Sequence, residues 1–305
     1  MKNRMKLTLI VSFAVLVCIV QDAAAAPETL RIPLSGKGPS DAVEWDFQVS
    51  AGRRAGERAK IPVPSNWEQH GFGNYDYGTV PAEVKHQEDG LYQREFEVPE
   101  AWRGMQVRIV FEAAMTDTSV RVNGQSAGPL HQGGFYQFHH DITDKIKFGG
   151  VNQLDVLVSK DSANALLEQA ERSADYWVFG GIYRPVWLEA RPPQSIEWTA
   201  VDARADGSLR AKVYLAGNGA ADRVRAQVMT RAGERVGEAF ESRLDGLGPV
   251  ELAAKLPNVL AWSAEEPNLY QIEFCLMRGS EILHQTRERI GFRTLEVRAG
   301  EGIFV

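Results

Sequence analysis

The sequence has few cysteines: Cys18 and Cys275 are the two in 305 residues. Cys18 lies in an apolar N-terminal segment that we expect to be removed, so Cys275 alone would remain, which excludes an intrachain disulfide. Stability must then come from buried apolar area. About 280 remaining residues at 44% apolar composition are enough for two cores, since single cores stop growing at roughly 250–300 residues.

The chain also lacks an apolar run long enough to cross a membrane. Leu7–Val20 has 14 residues, against about 20 for a transmembrane helix. It follows three basic residues and precedes the alanines at 23–26, the three-part pattern of a secretory signal peptide. We therefore predict a signal peptide over residues 1–26, export to the periplasm or the extracellular space, and no transmembrane segment.

An excess of positive charge is absent as well. The formal net charge is -6, and no basic stripe is present, so nucleic acid is excluded as a partner. His131, His139 and His140 match no zinc-ligand spacing, and we expect structural or surface histidines and no metal site. Gly133-Gly134 lacks the Gly-Lys-Ser/Thr ending of a phosphate-binding loop.

Few stretches have helical periodicity, and an all-β fold is predicted. In Leu91–Pro99, apolar and polar residues alternate as a half-buried strand requires, and similar runs recur along the chain. Asn123-Gly124 predicts a tight hairpin. Ala163–Arg172 is the best candidate for a short helix.

A domain boundary is expected near Pro192-Pro193, because consecutive prolines cannot donate to a sheet ladder. Short alternating runs resume from Ile196 to Val297, with turns every 8 to 12 residues, which is typical of an immunoglobulin-like sandwich. Cys275 alternates with apolar neighbours there and is predicted to be a small buried side chain.

Three stretches, in this order and spacing, resemble the sugar-binding domain of family 2 glycoside hydrolases, which include β-galactosidases, β-glucuronidases and β-mannosidases. The first is Pro64–Glu68 with 71–73, the second is Gly90–Phe96 with several later short matches, and the most specific is Asp175–Val186. Glu266–Tyr270 and Ile290–Arg293 resemble the end of the family's second domain.

The resemblance implies a jelly-roll sugar-binding domain over 27–193 and an immunoglobulin-like β-sandwich over 194–297. Residues 298–305 resemble the linker to a catalytic (β/α)8 barrel, which in this family comes third and would be a partner of these domains. Retaining hydrolysis requires two carboxyl groups roughly 5–5.5 Å apart, and in the family both are barrel glutamates, the acid/base following an asparagine. No Asn-Glu dipeptide occurs in this sequence, so no catalytic residue is assigned.

Asp175 is the leading candidate for substrate binding. The resemblance implies that this aspartate reaches into the barrel's active site and contacts a sugar hydroxyl. It implies no required cofactor, but in some β-galactosidases a sodium ion lies near this aspartate. A carboxylate bond of this type contributes about 1.5–3 kcal/mol. The alternative is that Asp175 caps a loop through backbone amides.

Other residues of the motifs have open roles. Trp177 stacks on a sugar or packs in the core, and Tyr77 and Thr79 lie where some relatives place a loop at the active-site rim, although 74–79 departs from the β-galactosidase form. Gly180 and Gly181 are expected to serve a backbone with positive φ. Arg184 is expected to bond a loop carboxylate or carbonyl, and the alternative is that it lies near the ligand.

The sequence supports two main hypotheses. The first is the front part of an exported glycosidase, contributing pocket contacts to a β-glycoside or oligosaccharide. The second is a free-standing secreted carbohydrate-binding or adhesion module, and a purely structural sandwich is a third. A homo-oligomer is compatible with all of them.

Overall fold

The computed structural model describes residues 27–79, 87–246 and 248–304. In this part of the chain, regular structure is almost entirely strand, as the sequence predicts. The exceptions are one α-helix, α1 (Ala165–Arg172), and short 3-10 turns at Trp67–His70 and Glu100–Trp102. None of the helices described there is long and apolar enough to cross a bilayer. The predicted signal peptide lies outside the described residues.

Twelve strands belong to the first half of the chain. They are β1 (Leu30–Pro33), β2 (Val43–Val49), β3 (Ala59–Val63), β4 (Asp76–Tyr77), β5 (Asp89–Glu97), β6 (Gln106–Phe111), β7 (Asp117–Val122), β8 (Gln125–Ser126), β9 (Phe138–Asp141), β10 (Val151–Ser159), β11 (Trp177–Val178) and β12 (Val186–Arg191). A four-stranded sheet, β1-β12-β6-β9, faces a six-stranded sheet, β3-β2-β5-β10-β7-β8, across one apolar core. All these neighbours are antiparallel, which gives the predicted jelly-roll sandwich.

The predicted alternation explains which residues enter this core. In β5, Tyr92 and Phe96 are buried while Glu95 and Glu97 are exposed, because successive strand residues point to opposite faces. The Asn123-Gly124 pair links β7 to β8, with φ of 52° and 78°, and the hairpin prediction is confirmed.

Helix α1 begins two residues later than predicted. Asn164 is its N-cap, and the Asn164 side chain accepts from the backbone N–H groups of Leu166 and Leu167. The cap satisfies donors that the first turn leaves unpaired.

The second half forms another antiparallel sandwich. Its strands are β13 (Ser195–Ala203), β14 (Ser208–Ala216), β15 (Arg223–Thr230), β16 (Arg235–Arg243), β17 (Val250–Lys255), β18 (Tyr270–Arg278), β19 (Glu281–Ile290), β20 (Glu296–Arg298) and β21 (Gly302–Phe304). Sheet β13-β14-β17 faces sheet β16-β15-β18-β19 across a second core. Pro192-Pro193 lies between β12 and β13. Cys275 is a free, buried thiol, as predicted.

Polar contacts, some buried and some half-buried, join the first sandwich to the second. The guanidinium of Arg108 in β6 forms an ion pair with Glu197 in β13, at 2.5 Å. His284 in β19 is fully buried: its Nδ1 accepts from the Ile196 backbone N–H at 3.0 Å, and its Nε2 lies 3.0 Å from the Thr29 hydroxyl. The last described residues, expected to begin a linker, pair as the exposed two-stranded ribbon β20–β21.

Candidate functional site

The predicted site residues meet at a small two-stranded ribbon on the first sandwich. Strands β4 and β11 pair antiparallel, with Tyr77 opposite Trp177 and Asp76 opposite Val178. The backbone N–H of Gly78 extends the pairing by donating to the Tyr176 carbonyl at 2.8 Å. The ribbon therefore brings together two motifs that are about 100 residues apart in the chain.

Asp175 is exposed at the edge of this ribbon. Its carboxylate accepts a hydrogen bond from the Tyr77 hydroxyl, so in the described part of the chain its donor is a side chain and not the backbone amide that a loop cap would use. The hydrogen bond to Asp175 raises the pKa of the Tyr77 hydroxyl, since an ionised phenol beside a carboxylate is disfavoured.

Trp177 lies on the surface and outside the core, with 52% of the residue exposed. The rings of Tyr75 and Tyr77 contact it edge-on, with centroids 5.9 and 5.1 Å away. These contacts hold the indole while leaving surface open to a ligand. Thr79, also exposed, lies just beyond Gly78 at the end of β4.

An aromatic hollow of about 260 Å³ is lined in part by Tyr176 and Trp177, the two residues that follow Asp175 in the chain. Its walls are Asn66, Met115, Phe135, Arg172, Tyr176, Trp177, Phe179 and Tyr183. Wider hollows lie over the outer face of the six-stranded sheet and near the junction of the sandwiches, but charged side chains line much of both. Small-molecule sites are mostly apolar with a few placed polar groups, and the smaller hollow fits that description better.

The two glycines of the third motif serve different purposes, and the expectation of positive φ was wrong for one of them. Gly181 has φ of 123°, which favours glycine. Gly180 lies outside the positive-φ range, but a Cβ there would stand 2.1 Å from the Trp67 ring. Close packing of backbone on indole, and not backbone conformation, excludes a side chain at Gly180.

The prediction for Arg184 was also wrong. In the part of the chain that is described, Arg184 makes no hydrogen bond or ion pair with a loop carboxylate or carbonyl. Its guanidinium instead lies over the ring of Tyr183, 5.3 Å from the centroid. The hydroxyl of the neighbouring Tyr183 donates a hydrogen bond to a loop carbonyl, that of Gly134, at 2.7 Å.

A buried ionic cluster beneath the ribbon was missed by the sequence reasoning. Lys160, which is fully buried, has its Nζ 3.2 Å from Glu68, 3.0 Å from Asp76 and 3.4 Å from Glu88. The Glu68 carboxylate also accepts from the backbone N–H of Gly180, at 3.0 and 3.2 Å. The one available signal for Lys160 was a charged side chain placed directly after the alternating run of β10.

The pKa values of this cluster follow from burial and charge pairing. Burial raises the pKa of Glu68 to about 7, although Lys160 opposes the shift. Burial would lower the pKa of Lys160, but attraction to Glu68, Glu88 and Asp76 outweighs it and the net shift is upward.

Among the described residues, no group of three His, Cys, Asp or Glu side chains is placed to hold a metal ion. The Phe179 carbonyl, in the same motif as Asp175, already accepts from the Arg172 guanidinium at 2.6 Å, and a second cation there would be repelled. No role is therefore assigned to sodium.

His131 stacks on Phe138 at 3.8 Å and contacts the Gly133 carbonyl, as a structural histidine does.

Comparison with known proteins matches both halves of the chain. A family model described as "Glycosyl hydrolases family 2, sugar binding domain" matches residues 46–192, and one described as "Glycosyl hydrolases family 2" matches 194–293. A β-galactosidase of Thermoanaerobacter pseudethanolicus is 28% identical over 85% of this chain and 34% of its own length. A β-galactosidase of Klebsiella pneumoniae is 30% identical over 78% of this chain and 25% of its own length.

Solved structures agree with the fold. The β-glucuronidase of Ruminococcus gnavus bound to uronic isofagomine superposes with a TM-score of 0.68 and 23% identity, over 90% of this chain and 46% of that one.

Two successive antiparallel sandwiches with these motifs are typical of the two glycoside hydrolase domains that the family models describe. The chain belongs to glycoside hydrolase family 2. It spans about a quarter to a third of the length of the curated relatives it matches.

Proposed function

We propose that this chain is the non-catalytic front part of an exported glycosidase that hydrolyses terminal β-glycosidic bonds. Residues 27–193 form the sugar-binding domain and residues 194–297 the second sandwich, and a catalytic barrel supplies the reacting carboxyl groups. The relatives named as β-galactosidases and β-glucuronidase support a β-galactoside or a β-glucuronide as the substrate class.

The single observation behind this proposal is the exposed Asp175 carboxylate beside exposed aromatic rings. A carboxylate accepts strongly from a sugar hydroxyl, and the open surface of Trp177 suits the apolar face of a sugar ring. Tyr77 holds Asp175 in place before a ligand arrives, which lowers the entropic cost of binding. The ribbon would form one wall of a substrate pocket.

The ribbon would supply only one wall of the pocket, so this chain by itself should bind a monosaccharide weakly, with a Kd on the order of 1 mM. Methyl β-D-galactopyranoside and methyl β-D-glucuronide can be titrated into the full chain by saturation-transfer NMR. Asp175→Ala should weaken binding about tenfold or more, because one charge-assisted hydrogen bond is lost. Asp144→Ala removes an exposed carboxylate paired only locally with Lys145 and serves as the matched control.

A chimera tests the connection to catalysis. Residues 27–297 would replace the matching part of the Thermoanaerobacter β-galactosidase, and cleavage of 4-nitrophenyl β-D-galactoside would be measured with and without Asp175→Asn. Lower kcat/KM in the variant supports the proposal. Free-chain affinity in the micromolar range, with no dependence of the chimera on Asp175, would favour a free-standing carbohydrate-binding module instead. Failure of both assays would reject a role in sugar recognition.

A further inference from the structure

We propose that Glu68 and Lys160 are positioning residues for Asp175, holding β4 and the loop after β11 from below. The inference rests on the proposed function of Asp175 but concerns residues that no sugar would touch. Lys160 is fully buried and Glu68 is 1% exposed, so neither can contact a ligand. Their effect must pass through the backbone they hold.

The cluster holds β4 at one residue and the loop after β11 at another. On β4, the Asp76 carboxylate pairs with Lys160 at 3.0 Å, one residue before Tyr77. Beyond β11, Glu68 accepts from the N–H of Gly180, and the Asn66 side chain donates to the Gly180 carbonyl at 3.0 Å. Tyr77 therefore directly follows a residue of this cluster, and Asp175 is joined to the cluster through the β4–β11 pairing and through Gly180, five residues further on. Arg172 holds the same segment at the Phe179 carbonyl.

Lys160 also fixes the backbone that leads into β4. Its Nζ donates to the Asn74 carbonyl at 2.5 Å, and Glu88 accepts from the Asn74 N–H at 2.7 Å. The third carboxylate, Glu88, accepts from the indole N–H of Trp67 at 3.3 Å, and the Trp67 ring is the surface on which Gly180 packs. The ammonium group of Lys160 thus links the turn at Asn74, strand β4 and, through Glu68, the loop that contains Gly180.

Charge balance makes the arrangement sensitive to any change at Lys160. Three carboxylates face one ammonium group, so two negative charges are in excess when all four are ionised. Without the ammonium group the carboxylates would repel one another at low dielectric and would separate or take up protons. Separation would move Asp76 and Gly180 apart and change the direction in which Asp175 points.

Protonation of Glu68 should have a similar, smaller effect. The groups around Glu68 are Lys160 after β10, Asp76 in β4, Glu88 before β5, Tyr92 in β5 and Arg172 at the end of α1. A neutral carboxyl attracts Lys160 less and accepts less strongly from Gly180. Because burial raises the pKa of Glu68 to about 7, this protonation should occur at a pH near 7, where it can be followed by titration.

Trp177 is a reporter that needs no sugar. The full chain would be labelled with 5-fluorotryptophan, and the Trp177 ¹⁹F resonance assigned from its loss in Trp177→Phe. In wild type the resonance should shift with pH as a one-proton step with a midpoint near 7. Glu68→Gln should abolish the step. His70→Asn is the control for a titrating neighbour in the same 3-10 turn and should leave it in place.

Lys160→Met should displace the Trp177 resonance and move the midpoint to higher pH, because the charge that favours ionised Glu68 is gone. Lys160→Arg should restore most of the wild-type Trp177 resonance position and most of the wild-type midpoint. Lys212→Met, at an exposed ion pair in β14, should change neither. If Lys160→Met does not fold, Glu68→Gln still decides. A Trp177 resonance and pH profile like wild type in folded Glu68→Gln and Lys160→Met would overturn the proposal.

Titration with methyl β-D-galactopyranoside and methyl β-D-glucuronide separates this inference from the proposed function. A fall in affinity of about tenfold in Lys160→Met, with recovery in Lys160→Arg, supports positioning of a sugar ligand. If wild type binds and Asp175→Ala does not, but both cluster variants bind within twofold of wild type, positioning is wrong and sugar recognition stands. If wild type binds neither sugar, the proposed function fails, and the resonances alone decide whether the cluster positions the ribbon.

Discussion

The hydroxyl of Tyr77 donates a hydrogen bond to the carboxylate of Asp175, 98 residues further along the chain. The bond joins the two strands of the ribbon at the surface, where water competes with it. Its contribution to folding is therefore small. Its effect on the site is larger, since it selects one orientation of a side chain that would otherwise rotate freely.

The first prediction concerns the titration of Tyr77. An ionised phenol next to a carboxylate is disfavoured, so the pKa of Tyr77 lies above its ordinary value. Asp175→Asn should lower that pKa toward about 10 and leave the other tyrosines unchanged. NMR of ¹³C-labelled tyrosine, assigned with Tyr77→Phe, measures the shift, and an unchanged Tyr77 titration in Asp175→Asn would contradict the hydrogen bond.

The second prediction concerns Gly180. A methyl group there would lie 2.1 Å from the Trp67 ring, which is itself fully buried. Gly180→Ala should lower the free energy of unfolding by about 1–3 kcal/mol, the usual range for overpacking. Gly38→Ala, where a Cβ meets open space, should change it by no more than about 0.5 kcal/mol. Urea denaturation compares the two, and equal stabilities would refute the close approach.

The sequence predicted the strands well and the site in part. Alternation in β5 indicated its core face, because a half-buried strand exposes every second residue. The motif resemblance brought Asp175, Trp177 and Tyr77 into one site, and the structure places them in one ribbon. Glu68 and Lys160 were missed because strand periodicity carries no information about partners 112 and 86 residues away in the chain.

Arg184 and Gly180 show a second limit of sequence reasoning. A motif position indicates that a residue type is needed, but the reason depends on its neighbours in space. Gly180 is required by an indole more than 100 residues earlier in the chain, and Arg184 lies over a ring where a carboxylate was expected. Neither reason could be obtained before the packing was known.

The third prediction concerns Cys275. Burial raises the pKa of its thiol to about 11, and the thiolate is the reactive form. Alkylation by iodoacetamide at pH 8 should therefore be about 100-fold or more slower than for a free thiol of pKa about 8.5. Mass spectrometry with glutathione as the reference measures it, and urea should restore the rate. Rapid labelling of the native chain would show that the thiol is accessible.

The last prediction concerns His284. Its Nδ1 accepts from the Ile196 N–H, so Nε2 carries the proton and donates to the Thr29 hydroxyl. A second proton, on Nδ1, would make the imidazole N–H and the Ile196 N–H two donors that face each other. Burial lowers the pKa of His284 to about 4. The unfolded chain, with a pKa of about 6.5, binds this proton first, so stability should fall as the pH drops from about 6.5 to about 4, by up to about 3 kcal/mol.

His284→Asn tests this, because the Asn oxygen can accept from Ile196 but cannot titrate. The variant should be less stable than wild type near pH 7, since the contact with Thr29 is lost. The difference between the two free energies of unfolding should then shrink as the pH falls to about 4, because only wild type loses the contribution of a neutral buried histidine. Using the difference cancels the other titrating groups, which both proteins share. A difference that stays constant over this range would mean that His284 binds its proton as readily in the folded chain as in the unfolded chain.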